Sequence, residues 1–124
     1  MHVRYCDKHR VLGAGTYASV RLGGIVRPDG VEETCALKFP SAGCEAELEA
    51  EIGLLRKLEH PNVLAVKDVF RSLQDGKVAM AMPCAHFDLS CYLAAQRLCG
   101  EVARGVSRQL AEGVNYVHAQ RVIN

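Results

Sequence analysis

Leu12-Gly13-Ala14-Gly15-Thr16-Tyr17-Ala18-Ser19-Val20 and, further on, Cys35-Ala36-Leu37-Lys38-Phe39 are the two stretches on which the reading of this chain turns. The first is a glycine turn whose backbone, free of Cβ atoms, can approach phosphate oxygens closely. In the second, strand alternation puts Ala36 and Lys38 on one face and Leu37 and Phe39 on the other. A lysine in so apolar a strand is unusual, because lysine is rarely buried without a partner. The small Ala36 beside it leaves room for a planar ligand. An ammonium there can grip phosphate as a compact point charge, provided that a carboxylate holds it in place.

The carboxylate is expected from the next segment, Glu45 to Leu58, where Leu48, Ile52, Leu55 and Leu58 recur at helical spacing. Glu51 borders that apolar stripe and is the chosen partner for Lys38. Glu47, one turn earlier on nearly the same face, is the alternative. Most helix glutamates are simply solvated, and an exposed lysine on a half-solvated strand is the plain reading of Lys38. The three parts in order, glycine turn, strand lysine and helix acid, argue together for a nucleotide triphosphate site.

Outward from these motifs the chain divides into short elements. Tyr5 to Leu12 reads as a strand running into the glycine turn. Ser19 to Val26 is a second strand, with Gly23-Gly24 marking a bulge or an edge. Arg27-Pro28-Asp29-Gly30 is a turn signal, and Glu33 to Phe39 is the returning strand, stopped by Pro40. After the helix, broken by Pro61-Asn62, Val63 to Phe70 and Val78 to Met82 read as a hairpin around the polar stretch from Ser72 to Lys77. Leu89 to Leu98 reads as a short helix ended by Gly100. Val102 to Gln120 is a longer one, with Val106, Leu110, Val114 and Val117 on one stripe. No internal repeat is visible. The fold class expected is α+β: a five-stranded antiparallel sheet with one packed helix, followed by two helices.

Bulk composition narrows the partners. At 124 residues the chain is one domain at most by length. Its 15 Lys and Arg residues balance 14 Asp and Glu, so no net field draws it to nucleic acid or to a membrane surface. No apolar run approaches the roughly 18 residues of a membrane span, and the first residues lack the apolar stretch of a signal peptide. The 6 cysteines are scattered without a Cys-x-x-Cys pair, which favours reduced thiols over a disulfide framework and argues against zinc. A cytoplasmic or nuclear protein is expected. The glycine turn also admits a dinucleotide-binding reading, with Glu32 or Glu33 near the acidic position. Against it, Thr16 to Val26 is strand-like where that motif opens a helix, and Ala18 stands where its third glycine belongs.

Taken together, the motifs resemble the amino-terminal half of a eukaryotic protein kinase domain, over Tyr5 to Asn124. Leu12 to Val20 is similar to that family's glycine-rich loop, with Ala18 at the third glycine. Cys35-Ala36-Leu37-Lys38 resembles its Val-Ala-Ile-Lys strand. Glu51 through Leu58, Glu59, His60, Pro61, Asn62 and Val63 resembles the end of its regulatory helix and the turn that follows. The resemblance implies that Leu12, Val20 and Ala36 cover adenine, while Gly13, Ala14, Gly15, Thr16, Tyr17 and Ala18 cover the phosphates of ATP. Lys38 would bind the α- and β-phosphates and pair with Glu51. Met82 would guard the back of the pocket, the Pro83 carbonyl and the Ala85 backbone would meet the adenine edge, and Asp88 would reach the ribose or cap the helix at Leu89. Residues 1–85 would form the nucleotide-binding lobe and residues 86–124 the first helices of a carboxy-terminal lobe.

The family's catalytic aspartate and magnesium ligands would lie beyond Asn124, so ATP with Mg is the expected cofactor and a protein Ser/Thr hydroxyl the expected acceptor. The Val106–Val117 stripe would need the rest of that lobe or a partner. Without it, a marginal and association-prone chain is expected, inactive by itself. A non-catalytic interaction or dominant-negative role is the rival from another class.

Overall fold

The computed structural model describes residues 4–72, 75–85, 89 and 100–120. Five strands and two helices occupy them: β1 (Arg4–Ala14), β2 (Ala18–Val26), β3 (Glu32–Pro40), α1 (Glu45–Leu55), β4 (Asp68–Arg71), β5 (Val78–Pro83) and α2 (Gly100–Ala119). The strands form one antiparallel sheet in the order β1-β2-β3-β5-β4. The chain falls into two compact units, one comprising Met1–Lys57 with Ala65–Cys84, the other Leu58–Leu64 with Ala85–Asn124.

In the first unit, the alternation read from Cys35 to Phe39 is the packing pattern. Ala36 joins Leu48 and Ile52 of α1 and Val78, Met80 and Met82 of β5 in one core cluster. Cys35 and Leu37 point the other way, into a second cluster with Ile25 and Ala81, edged by Tyr5, Phe39 and Phe70. Burial on both faces explains why β5 is apolar throughout, whereas a sheet wetted on one side would alternate with polar residues. Leu48 and Ile52 dock α1, each contributing about 1.5–3 kcal/mol on burial. On the second face, Tyr5 of β1 stacks on Phe70 of β4 with ring centroids 4.2 Å apart. The sheet curls until its two edge strands meet. The Tyr5 hydroxyl also donates a hydrogen bond to Asp68, while Phe39 meets Phe70 edge-on and carries the Arg21 guanidinium over its ring.

The β2–β3 hairpin turns where expected. Gly30 donates its N–H to the Arg27 carbonyl at 2.9 Å and takes φ 86, which only glycine adopts freely. The Asp29 carboxylate accepts from the Val31 N–H at 2.9 Å.

Several boundaries differ from the sequence reading. The irregularity assigned to Gly23-Gly24 lies across the ladder, between Asp7 and Arg10 of β1, and the β2–β3 register runs unbroken. The Glu32 side chain lies over Gly24, and a Cβ there would displace it. Helix α1 stops at Leu55, short of Leu58, tightening through a Lys57 N–H to Leu54 carbonyl bond of 3.1 Å. Strand β4 begins at Asp68 and not at Val63, whose N–H closes a turn on the His60 carbonyl at 3.1 Å.

In the second unit that turn packs on α2. Gly113 is buried against the Asn62 backbone, the His60 and Tyr116 rings lie 4.9 Å apart, and the Tyr116 hydroxyl accepts the Glu59 N–H at 2.8 Å. Gly100, at φ 59, opens α2. On the expected apolar stripe, Val106 and Val117 are half-buried, while Leu110 and Val114 are 63% and 43% exposed. The short helix read from Leu89 to Leu98 lies outside the described residues beyond Leu89 itself. Among the described residues, no helix is long and apolar enough to cross a membrane.

Candidate functional site

Strand β3 carries Lys38 between two hydrogen-bonded neighbours, facing Val20 of β2 and Met80 of β5. The strand presents it on the α1 side of the sheet, and Glu51 projects toward it from the last turn and a half of the helix. The Lys38 Nζ donates to both Glu51 carboxylate oxygens, at 2.9 Å each. The side chains are 23% and 41% exposed, so the pair remains open to a ligand arriving from solvent. Charge-assisted bonds of this length are the strong kind. The acid chosen over Glu47 is the one that meets the lysine.

Above the pair lies the β1–β2 hairpin. Ala14 faces Ser19 across the ladder, and the tip closes with the Gly15 N–H on the Ala18 carbonyl at 2.9 Å. Neither Gly13 nor Gly15 takes a positive φ. Their use here is the missing side chain: a Cβ on Gly13 would meet nothing within 4 Å, so a larger residue would fill open space over the site. The tip is tied to the segment ahead of α1, where the Ser41 N–H donates to the Tyr17 carbonyl at 2.6 Å and the Cys44 thiol lies 4.0 Å from the Thr16 carbonyl.

Loop, strand and helix enclose a cavity of about 550 Å³. Gly13, Ala14, Gly15, Thr16, Tyr17, Ala18 and Val20 line it from the hairpin, Lys38 from β3, and Glu47, Leu48 and Glu51 from α1. All the phosphate-side residues expected from the sequence are thus brought together. Of the expected adenine-side residues, Val20 lines this cavity and the others do not. Ala36 and Met82 are buried in the core cluster facing α1, Leu12 is 44% exposed, and Pro83, at the end of β5, is exposed. Ala85 belongs to the second unit, and Asp88 lies outside the described residues. Leu48 went unremarked as a lining residue, although its place on the apolar stripe beside Glu47 and Glu51 was the available signal.

A bare glycine loop over an ammonium with room beside it fits a polyphosphate. A resident metal cage is not offered: among the described residues, no group of three or more His, Cys, Asp and Glu side chains could hold an ion. Away from the site, Glu33 holds its proton more weakly than an ordinary glutamate, because Lys67 and then Arg27 bond to its carboxylate. Burial, and then the bond to Asp68, push the Tyr5 hydroxyl above its usual value of 10.0.

Comparison with known proteins agrees with this geometry. The family described as the protein kinase domain matches residues 6–124. The chain belongs to the protein kinase family. The kinase relatives include CBL-interacting protein kinase 16 of Oryza sativa subsp. japonica, 31% identical over 91% of this chain and 25% of that protein. Death-associated protein kinase 2 of Mus musculus is 30% identical over 64% of this chain and 21% of its own length. The PAS domain-containing serine/threonine-protein kinase of Mus musculus is 27% identical over 80% of this chain and 7% of that protein. This kinase chain therefore spans a quarter or less of the curated relatives it matches. The crystal structure of Rad53 1-466 in complex with AMP-PNP superposes with a TM-score of 0.72 and 25% identity, over 94% of this chain and 30% of that one. The α+β fold of the family is the fold observed, and the strand-like run after the glycine turn removes the dinucleotide-binding alternative.

Proposed function

We propose that this chain is the ATP-binding portion of a protein kinase that transfers the γ-phosphate of ATP to a protein Ser or Thr hydroxyl. The observation that carries the reading is the Lys38 ammonium held by both Glu51 oxygens beneath the glycine hairpin. It is supported by a solved relative in complex with a nucleotide analogue. In this reading Lys38 grips the α- and β-phosphates, and Glu51 fixes its rotamer. The backbone from Gly13 to Ala18 lies along the phosphates, with Tyr17 at the tip shielding them from water. Leu12, Val20, Ala36 and Met82 face the base, and Pro83 offers it a backbone carbonyl. Residues 1–85 act as the nucleotide-binding lobe and residues 86–124 as the start of the carboxy-terminal lobe. Magnesium would supply charge neutralisation when bound with the nucleotide.

Lys38→Met tests the proposal. Removing the ammonium is expected to weaken binding of an ATP analogue about tenfold or more, as for the loss of a charge-assisted bond of about 1.5–3 kcal/mol. Unchanged affinity in calorimetric titration would sink the nucleotide reading and favour an interaction module built on the same fold.

A further inference from the structure

Three charged side chains line the cavity: Lys38, Glu47 and Glu51. One cation against two carboxylates leaves a formal balance of +1 − 2 = −1. Lys38 is already engaged by Glu51. Glu47 stands four residues before Glu51 on α1, so both carboxylates face the same way. Among the described residues, the exposed Glu47 side chain has no hydrogen bond or ion pair. A pocket for a polyanion thus carries an uncompensated negative charge in its wall, the reverse of simple charge complementarity.

That arrangement discriminates between two forms of one ligand. A free nucleotide triphosphate brings roughly four negative charges, and a divalent cation on its phosphates cancels about two of them. Repulsion by a fixed carboxylate scales with the ligand's charge, so it falls about twice as heavily on the metal-free form. We propose that Glu47 is a specificity-determining residue that biases this site against metal-free nucleotide triphosphate and toward its magnesium complex. The inference rests on the nucleotide reading of the cavity. Its physical content is separate, since a phosphate site needs no such acid.

The test compares AMP-PNP binding to the 124-residue chain, measured by calorimetry at low ionic strength, in chelator and in excess Mg²⁺. The readout is the ratio of the metal-free to the metal-loaded Kd. Glu47→Gln is expected to lower that ratio by roughly three- to fivefold, mainly by tightening the metal-free form, and the change should fade in high salt. Glu47→Lys should lower it further. Glu49→Gln removes the same charge from the same helix, equally exposed but outside the cavity lining, and it should leave the ratio alone. Circular dichroism of each variant establishes that α1 is kept. A ratio unmoved by Glu47→Gln, or moved equally by Glu49→Gln, overturns the inference. So does a weakening confined to the metal-loaded form, which would make Glu47 a metal ligand. If the wild-type chain bound neither form, the nucleotide reading itself would fall and take this one with it.

Discussion

Lys38 is laddered on both sides, so its backbone is fixed by the sheet, whereas Glu51 rides on a helix docked by two large side chains. The pair is partly exposed, which limits its worth to the fold to the few tenths to about 1 kcal/mol of a solvated ion pair. Glu51→Gln should therefore shift a thermal melt little while weakening nucleotide-analogue binding severalfold; a large melt shift with intact binding would make the pair structural. Tyr5 offers a second residue-scale prediction. Its raised pKa means that both folded and unfolded chains hold the proton below about pH 10, where its contribution is fully present. Above that the unfolded chain ionises first, so stability falls as pH rises from about 10 toward the folded value. Tyr5→Phe should flatten this alkaline loss in urea melts taken across that range, and an unchanged slope would remove Tyr5 as its source. At this scale the sequence was informative where chemistry is local. Residue type and period-two alternation exposed Lys38, and the edge of a helical stripe exposed Glu51. The Tyr5–Asp68 bond joins residues remote in the chain and left no pattern to read.

Helix α1 owes its position to Leu48 and Ile52, which are 2% and 5% exposed. Ile52→Ala should cost about 2–5 kcal/mol through lost burial and the cavity left behind, measured by urea denaturation, whereas Gly53→Ala on the exposed side should be neutral or stabilising. Equal effects would mean that α1 is not seated as described. The strands and both described helices were legible from periodicity and turn chemistry, while their ends were less so. Leu58 and Val63 carry the apolar character of the elements they were assigned to, yet both belong to the segment 58–64 that packs in the second unit. Tertiary partners overrode local pattern there. Ala36 and Met82, placed beside the base by the family resemblance, lie in the core cluster against which Val20 also packs.

At the scale of the molecule, each unit has its own keystone contact. In the second it is Gly113, where a Cβ would stand 2.8 Å from the Asn62 carbonyl oxygen. Gly113→Val should cost about 1–3 kcal/mol, lowering amide protection across 100–119 while leaving β3 and β5 protected. Uniform loss across both units would show that they unfold as one. In the first unit the corresponding contact is the seam of Tyr5 on Phe70. It closes a loop of more than sixty residues, a cost in chain entropy that must be met before the contact returns anything. The strand leading into the glycine hairpin is made before β4, and it cannot be clasped on this side until β4 has left the ribosome. The glycine hairpin is thus made before its clasp and locked only after it.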